Sequence, residues 1–284
     1  MKEQVNQMTM RNGKLDRIDE KRRVERPGYL NGVHRAIVFD LDDTLVAWTD
    51  RSRASLRFVA AMLADQHPGG PSAAVWWEHL LRLDPLDVWE QAIRGEVEQE
   101  EYHRARFRRT LEHFRLPAGA RQVEPLYQAY RQQMIVRARL DLGVRPLLRA
   151  LSGRYQLGLI TNGCAAFQIP TLRRLQLDTF FRPLLIADEL RIYKPDPAIF
   201  QRALEQLGVR PEQAVMVGDN YAHDIEGAAQ VGMQTIWVNP TGAPEPGRAA
   251  DWVVWHVLQI EHLVAAPLWE SSWTIRERTD SARR

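Results

Sequence analysis

The sequence predicts an α/β protein built on a doubly wound, mostly parallel sheet, with a helical unit inserted after the first strand. Three observations carry this. Short apolar runs rich in β-branched residues recur and end in polar groups, as strands buried on both faces do. From 144 to 265, strand and helix signals alternate with short connections, the pattern of a parallel sheet covered on both sides. More than a hundred residues separate the first two strand signals, far more than one βαβ crossover needs, so that interval holds a unit of its own.

AIVFD at 36–40 reads as the first strand, ending in a carboxylate. The interval 49–141 has helical periodicity instead. Leu56, Val59, Ala60 and Leu63 mark one stripe; Trp76, Leu80 and Leu83 a second; Phe107, Leu111 and Phe114 a third; Val123, Leu126, Tyr130 and Met134 a fourth. HPGGP at 67–71 and LPAG at 116–119 punctuate them. A short helix at 144–151 precedes a second strand in YQLGLITNG at 155–163, and a helical stretch then runs through Leu172 and Leu175. PLLIADE at 183–189 reads as a third strand. In the following PDPAIFQRALEQLG, Ile199, Phe200, Ala203, Leu204 and Leu207 keep the helical period, with Pro197 near the start and Gly208 as the stop. AVMVGDN at 214–220 is a fourth strand, 222–229 its following helix, and QTIWVNP and DWVVW supply a fifth and a sixth strand. The expected organisation is a basic N-terminal extension at 1–30, an α/β core at 31–48 and 142–268, the helical insertion at 49–141 and a C-terminal tail at 269–284.

Composition sets the outer limits. At 45% apolar and 26% charged residues, the 284-residue chain has the mixture of a globular protein and can bury a sizeable core without disulfides or a structural metal. Its single cysteine, Cys164, permits no intramolecular disulfide and excludes multi-cysteine zinc frameworks. The net charge is +2, but residues 1–30 carry +3 and 269–284 carry +1, which leaves 31–268 at −2. The body therefore has no basic stripe for nucleic acid, and KRR at 21–23 reads as part of a solvated extension. No run of 18 apolar residues exists to span a membrane, and no apolar h-region follows the N-terminal charges. A cytoplasmic location is expected.

The chemistry gathers at the predicted strand ends. Asp40-Leu41-Asp42-Asp43-Thr44-Leu45 follows the first strand, and ligands of an open α/β sheet bind outside the carboxyl ends of its strands. Three carboxylates in four residues repel one another unless a cation or proton intervenes. Mg2+, held by one or two carboxylates, waters and a phosphate, resolves that conflict; a polar turn capping a helix is the structural alternative. The second strand ends in Thr161-Asn162-Gly163, a hydroxyl, an amide and a glycine at a strand-to-helix turn that can present amide hydrogens to an anion. The fourth ends in Gly218-Asp219-Asn220, with Asp224 following. Lys194, leading KPDP, can reach inward as a point charge for phosphate or for the crowded carboxylates.

In this order the motifs resemble those of the haloacid dehalogenase superfamily: DLDDT at 40–44, Thr161, Lys194 in YKPDP and GDNYAHD at 218–224. The resemblance covers 34 to about 265 and implies a Rossmann-like core whose insertion is a helical cap of the phosphatase and nucleotidase class. It implies Asp40 as the nucleophile that forms an aspartyl-phosphate, and Asp42 as the acid for the leaving alcohol and then the base for water. Thr161, Asn162 and Lys194 would bind phosphate. Asp40, Asp219 and the Asp42 backbone carbonyl would hold Mg2+, with Asp224 either ligating directly or orienting a metal-bound water. A carboxylate at 42 points away from haloalkanoate dehalogenases, which resemble the fold but carry a non-acidic residue there. The absence of lysine from 49–141 argues against a Schiff-base phosphonatase.

The expected function is Mg2+-dependent hydrolysis of a small phosphorylated metabolite by a monomer or homodimer. A nucleoside 5′-monophosphate stacked on Trp76, Trp77 or Trp89 is the first candidate. His79, Tyr102 and Arg104 are also available for a base, a sugar or a second charged group. Sugar-phosphate or phosphoglycolate hydrolysis, a phosphomutase and a catalytically silent scaffold are the alternatives. Aromatics at helical spacing are more often core than ligand platform.

Overall fold

The computed structural model describes Leu30, residues 33–247 and residues 250–264. The N-terminal extension, apart from Leu30, and the C-terminal tail expected from the sequence lie outside these described residues. In chain order the elements are β1 (Ala36–Phe39), α1 (Thr49–Gln66), α2 (Ala73–Arg82), α3 (Leu86–Ile93), α4 (Gln99–His113), α5 (Ala120–Arg137), α6 (Val144–Ser152), β2 (Gln156–Thr161), α7 (Ala165–Arg174), β3 (Leu184–Ile186), α8 (Ala187–Leu190), α9 (Pro197–Leu207), β4 (Ala214–Gly218), α10 (Gly227–Gln230), β5 (Gln234–Val238), β6 (Trp252–Val254) and α11 (Ile260–Val264).

The six strands form one parallel sheet in the order β3-β2-β1-β4-β5-β6. β1 lies at its centre, and Phe39 pairs with Leu159 of β2 on one side and Val217 of β4 on the other. The carboxyl ends of these three strands therefore lie level. Progression along the chain runs outward through β2 and β3 in one direction and through β4, β5 and β6 in the other, so the order reverses beside β1. That reversal opens the crevice in which doubly wound sheets bind ligands.

Alternate residues of each strand feed two cores. Ile37, Phe39, Leu157, Leu159, Val215 and Val217 pack with α6 and the C-terminal elements on one face. Ala36, Val38, Ile160 and Met216 pack on the other face with Ile199, Phe200, Ala203 and Leu204 of α9. The helices between β1 and α6 have their own core of Leu56, Val59, Trp76, Phe107, Tyr127 and Tyr130, into which α7 inserts Phe167.

Three elements depart from the sequence reading. Four stripes mark the insertion, but it contains five helices: the eight-residue α3, started at Pro85, buries only Val88 and Ala92 and is too short to show a repeating stripe. The strand read at 183–189 is confined to Leu184–Ile186, because the chain turns helical at Ala187 and brings the Asp188 carboxylate to the Ala165 amide, 2.9 Å away. The helix read at 222–229 begins as a π-helical turn, Tyr221–Glu226, before α10. Such turns recur at functional sites.

Candidate active site

The loop after β1 folds back on itself. Leu45 and Val46 both donate to the Leu41 carbonyl, and Asp43 donates from its amide to Val46 O at 2.8 Å. This tight turn leaves Asp40 buried at the strand tip and Asp42 half-buried beside it. Asp43 takes the left-handed φ of 57°. Its carboxylate accepts from the Trp48 and Thr49 amides at 2.7 and 3.1 Å and from the Thr49 hydroxyl at 2.7 Å. Asp43 thus anchors the start of α1, the capping role set against a ligand role for this tract.

Lys194 is buried at the centre, and its ammonium donates to Asp40 Oδ1 at 2.6 Å, Asp224 Oδ1 at 2.6 Å and the Ile160 carbonyl at 3.0 Å. All three of its N–H groups are engaged. Burial works against its charge, but Asp224 and Asp40 outweigh that and raise its pKa above the ordinary lysine range. The Asn162 side chain clasps the backbone of the same residue: its amide donates to Lys194 O at 2.8 Å and its carbonyl accepts from Lys194 N at 2.8 Å. With its side chain so engaged, Asn162 offers the cavity its backbone. Thr161 is buried and accepts from Gly163 N at 3.1 Å.

On the far side of β1, Gly218 ends β4 where any Cβ would overlap the Asp224 carboxylate, so the GD pair needs its glycine. Asp224 Oδ2 accepts from the Asn220 amide at 3.0 Å. Both Asp224 oxygens therefore already have donors. Thr44 donates its hydroxyl to Asp219 Oδ1 at 3.3 Å. Asp40, Asp42, Thr161, Asn162, Lys194, Asp219 and Asp224 all line one cavity of about 180 Å³. The structure thus brings together every residue singled out from the four motifs.

Arg51, Gln168 and His223 were not singled out. His223 lines the cavity, its pKa lowered by burial and by Lys194; it lies inside GDNYAHD, yet nothing in the motif separates it from a solvent-facing residue. Arg51 reaches Asp42 Oδ1 at 2.8 Å from α1, and the Gln168 amide donates to Asp42 Oδ2 from α7. No spacing relates either residue to position 42.

The carboxylates fit a divalent cation. Oxygens of Asp40, Asp219 and Asp224 lie within 4.8 Å of one another, while ligands around octahedral Mg2+ at 2.0–2.1 Å stand roughly 3–4 Å apart. Without a cation the charges strain one another. Burial and then the Asp40 and Asp224 charges push Asp219 up to about 8. Burial, with Asp224 adding and Lys194 opposing, raises Asp40 to about 6. Burial, opposed chiefly by Arg51, raises Asp42 to about 7. A cation among these oxygens would favour their charged forms.

A parallel sheet with a buried carboxylate at its switch point, a buried lysine beside it and a second acidic pair after the neighbouring strand has the make-up of a Rossmann-like hydrolase with its site at the strand tips. The haloacid dehalogenase-like hydrolase pattern matches residues 34–232, and the chain belongs to that family. Glyceraldehyde 3-phosphate phosphatases of two Pyrococcus species are similar to it. That of P. abyssi is 31% identical over 72% of this chain and 80% of its own length, and that of P. furiosus is 44% identical over 33% and 39%. The pyrimidine 5′-nucleotidase YjjG of Escherichia coli is 38% identical over 43% of this chain and 55% of its own. The chain thus spans about two fifths to four fifths of the relatives it matches. The crystal structure of a 2-haloacid dehalogenase from Pseudomonas syringae superposes with a TM-score of 0.60 at 29% identity, covering 84% of this chain and 99% of that one. Among the described residues, no helix is long and apolar enough to cross a membrane.

Proposed function

We propose that the protein is a Mg2+-dependent phosphomonoester hydrolase that acts on a small phosphorylated metabolite through an aspartyl-phosphate. The observation that carries this is the pairing of Asp40 with Lys194 at 2.6 Å while a second carboxylate, Asp42, stands two residues on with its own partners. One carboxylate is held as an anion and the other can carry a proton. Dehalogenation would not require the second, which favours phosphoryl transfer.

Asp40 attacks phosphorus as the ester P–O bond breaks, and Asp42 gives its proton to the departing alkoxide oxygen. Asp42, now a carboxylate, takes a proton from the water that cleaves the acyl phosphate. Lys194 fixes Asp40 Oδ1 and contributes positive charge near the transferring group; the Thr161 hydroxyl and the backbone of 162–163 hold phosphoryl oxygens. Asp40, Asp219 and the Asp42 carbonyl would hold Mg2+. Asp224, with both oxygens engaged, orients Lys194 and the loop rather than supplying the principal ligand. When bound, Mg2+ supplies neutralisation of the phosphoryl and carboxylate charge.

The substrate reading shifts toward short polar esters. A cavity of about 180 Å³ lined by charged and hydrogen-bonding residues suits a phosphate with a few-carbon alcohol better than one with a nucleoside. Trp76 is wholly buried 4.2 Å from Phe114, Trp77 is covered by the Arg57 guanidinium at 4.5 Å, and Trp89 packs on Tyr102; none lines the cavity. The similarity to glyceraldehyde 3-phosphate phosphatases agrees with that preference, and the similarity to a nucleotidase keeps nucleotides in the test. The helices at 49–137 act as a cap over the strand tips, and the enzyme is cytoplasmic in this reading. Phosphate release from three-carbon phosphates, sugar phosphates and nucleoside 5′-monophosphates, with Mg2+ and with EDTA, tests the proposal. Release unaffected by exhaustive chelation refutes the metal, and no release from any phosphomonoester refutes the activity.

A further inference from the structure

Asp42 is held from two layers of the fold at once. Arg51, on the first turn of α1 in the helical insertion, donates from Nη2 to Oδ1 at 2.8 Å; Gln168, on α7 beside the sheet, donates from Nε2 to Oδ2. Both partners are buried, Arg51 at 4% and Gln168 at 0% exposure. Their remaining polar atoms are unusual. Gln168 Oε1 and Arg51 Nε and Nη1 are buried without a hydrogen-bond partner, a costly state for groups inside a protein. The loop also makes room for this contact: a Cβ on Gly163 would overlap the Gln168 amide. The glycine of TNG thus clears the path by which Gln168 reaches Asp42.

We propose that Arg51 and Gln168 are positioning residues that together fix the orientation of the Asp42 carboxyl. This rests on the acid–base role proposed above. Gln168 holds Asp42 Oδ2 from α7. Arg51 holds the other oxygen and keeps the carboxyl plane fixed, and its guanidinium lies 4.9 Å over the Trp48 ring, which limits its own motion. Because one partner belongs to each layer, the acid is aligned only while the insertion sits against the sheet.

The test uses leaving groups of different basicity. An aryl phosphate such as p-nitrophenyl phosphate departs without a proton, whereas glycerol phosphate needs one. Gln168→Met and Arg51→Met should each lower kcat/KM for glycerol phosphate by about 10²-fold, as misplacement of an acid does, while changing it for p-nitrophenyl phosphate by no more than about threefold. Gln168→Leu, which keeps the apolar volume of the side chain but lacks the amide, should show the same selectivity and decides the matter if Gln168→Met fails to fold. Equal losses on both esters in the folded variants would reduce these residues to packing and overturn the inference. Asp42→Asn separates the two levels. If it too loses both esters equally, the acid assignment itself fails and the inference with it; if it is selective and the others are not, only the inference fails.

Discussion

Lys194 Nζ lies 2.6 Å from Asp40 Oδ1, and both side chains are buried, at 3% and 9% exposure. The same ammonium lies 2.6 Å from Asp224, so one cation separates two buried carboxylates. Removing one member of a buried pair leaves an uncompensated charge and commonly costs about 3–5 kcal/mol. Lys194→Met should therefore lower Tm and abolish turnover. Because a divalent cation can replace part of the lost charge, Mg2+ should raise the Tm of the variant more than that of the parent. Differential scanning calorimetry with Mg2+ and with EDTA compares the two increments; equal increments would show that Lys194 and the metal do not share these carboxylates.

Asp40→Asn removes the proposed nucleophile yet keeps its shape. Phosphate release should fall by at least about 10³-fold, since a carboxamide does not form the acyl phosphate. Tm should change little, because Lys194 keeps Asp224 as its counter-charge and the substitution removes one of the crowded charges that raise Asp219. Turnover within tenfold of the parent, on folded protein, would exclude the covalent route.

The pH dependence has a definite sign. Asp219, Asp42 and Asp40 have folded pKa values of about 8, 7 and 6, above the ordinary 3.8. The folded state binds more protons than the unfolded one between those limits, so metal-free stability is fullest below about pH 4 on this account and is lost as pH rises toward 8. Between pH 6.5 and 8.5 the Tm in EDTA should fall, and Mg2+ should flatten the slope by favouring the charged forms. Asp219→Asn should flatten it without metal. A metal-free Tm that rises across this window would contradict the carboxylate crowding.

His103 acts with the opposite sign at lower pH. It is buried, its ring 4.5 Å from that of Phe167 and 4.9 Å from that of Tyr102. Burial, helped by Arg106 and Arg104, lowers its pKa to about 3. The unfolded chain takes up a proton near pH 6.5 that the folded chain refuses, so its contribution is present above about 6.5 and is lost as pH falls toward 3. His103→Phe should make the acid limb of the Tm profile between those values shallower. An unchanged acid limb would place the sensitivity elsewhere.

The legibility of this molecule follows the range of its interactions. Residues that act at strand tips could be read from the chain because a parallel strand is short, apolar and abruptly ended: Asp40 after Ala36–Phe39, Thr161 at the end of Gln156–Thr161, Asp219 after Ala214–Gly218. Lys194 was legible as a charge for the crowded carboxylates of the first motif, but its second contact with Asp224 was not, since that residue sits on the π-helical turn after β4. Arg51 and Gln168 meet Asp42 across 9 and 126 residues of chain. Neither carries a local signal: nothing in the chain separates an arginine early in a helix, or a glutamine between Phe167 and Thr171, from a solvent-facing residue, and only the packing turns them inward. The tryptophans carried two readings, a stacking surface and, for Trp76, the apolar stripe shared with Leu80 and Leu83; the packing decides for the interior at Trp76.

That distinction gives the last prediction. Trp76 is 0% exposed among Leu56, Leu80, Phe107 and Phe114 neighbours of the helical core, and its Nε1 is buried without a partner. Trp76→Phe removes ring volume and leaves a cavity, which destabilises, but it also removes an unsatisfied donor, which offsets part of that. The net cost should fall near the low end of about 1–3 kcal/mol for core truncation, visible as a lower Tm. The cavity at Asp40 is lined by strand-tip loops and not by this ring, so kcat/KM for a three-carbon phosphate and for a nucleoside monophosphate should both stay within about twofold once measured well below Tm. A selective loss on the nucleotide, with the three-carbon ester unchanged, would restore Trp76 to the substrate and require the helices of the insertion to open around it. Parallel loss of stability with activity retained on both would settle the ring as core and leave substrate choice to the small polar cavity.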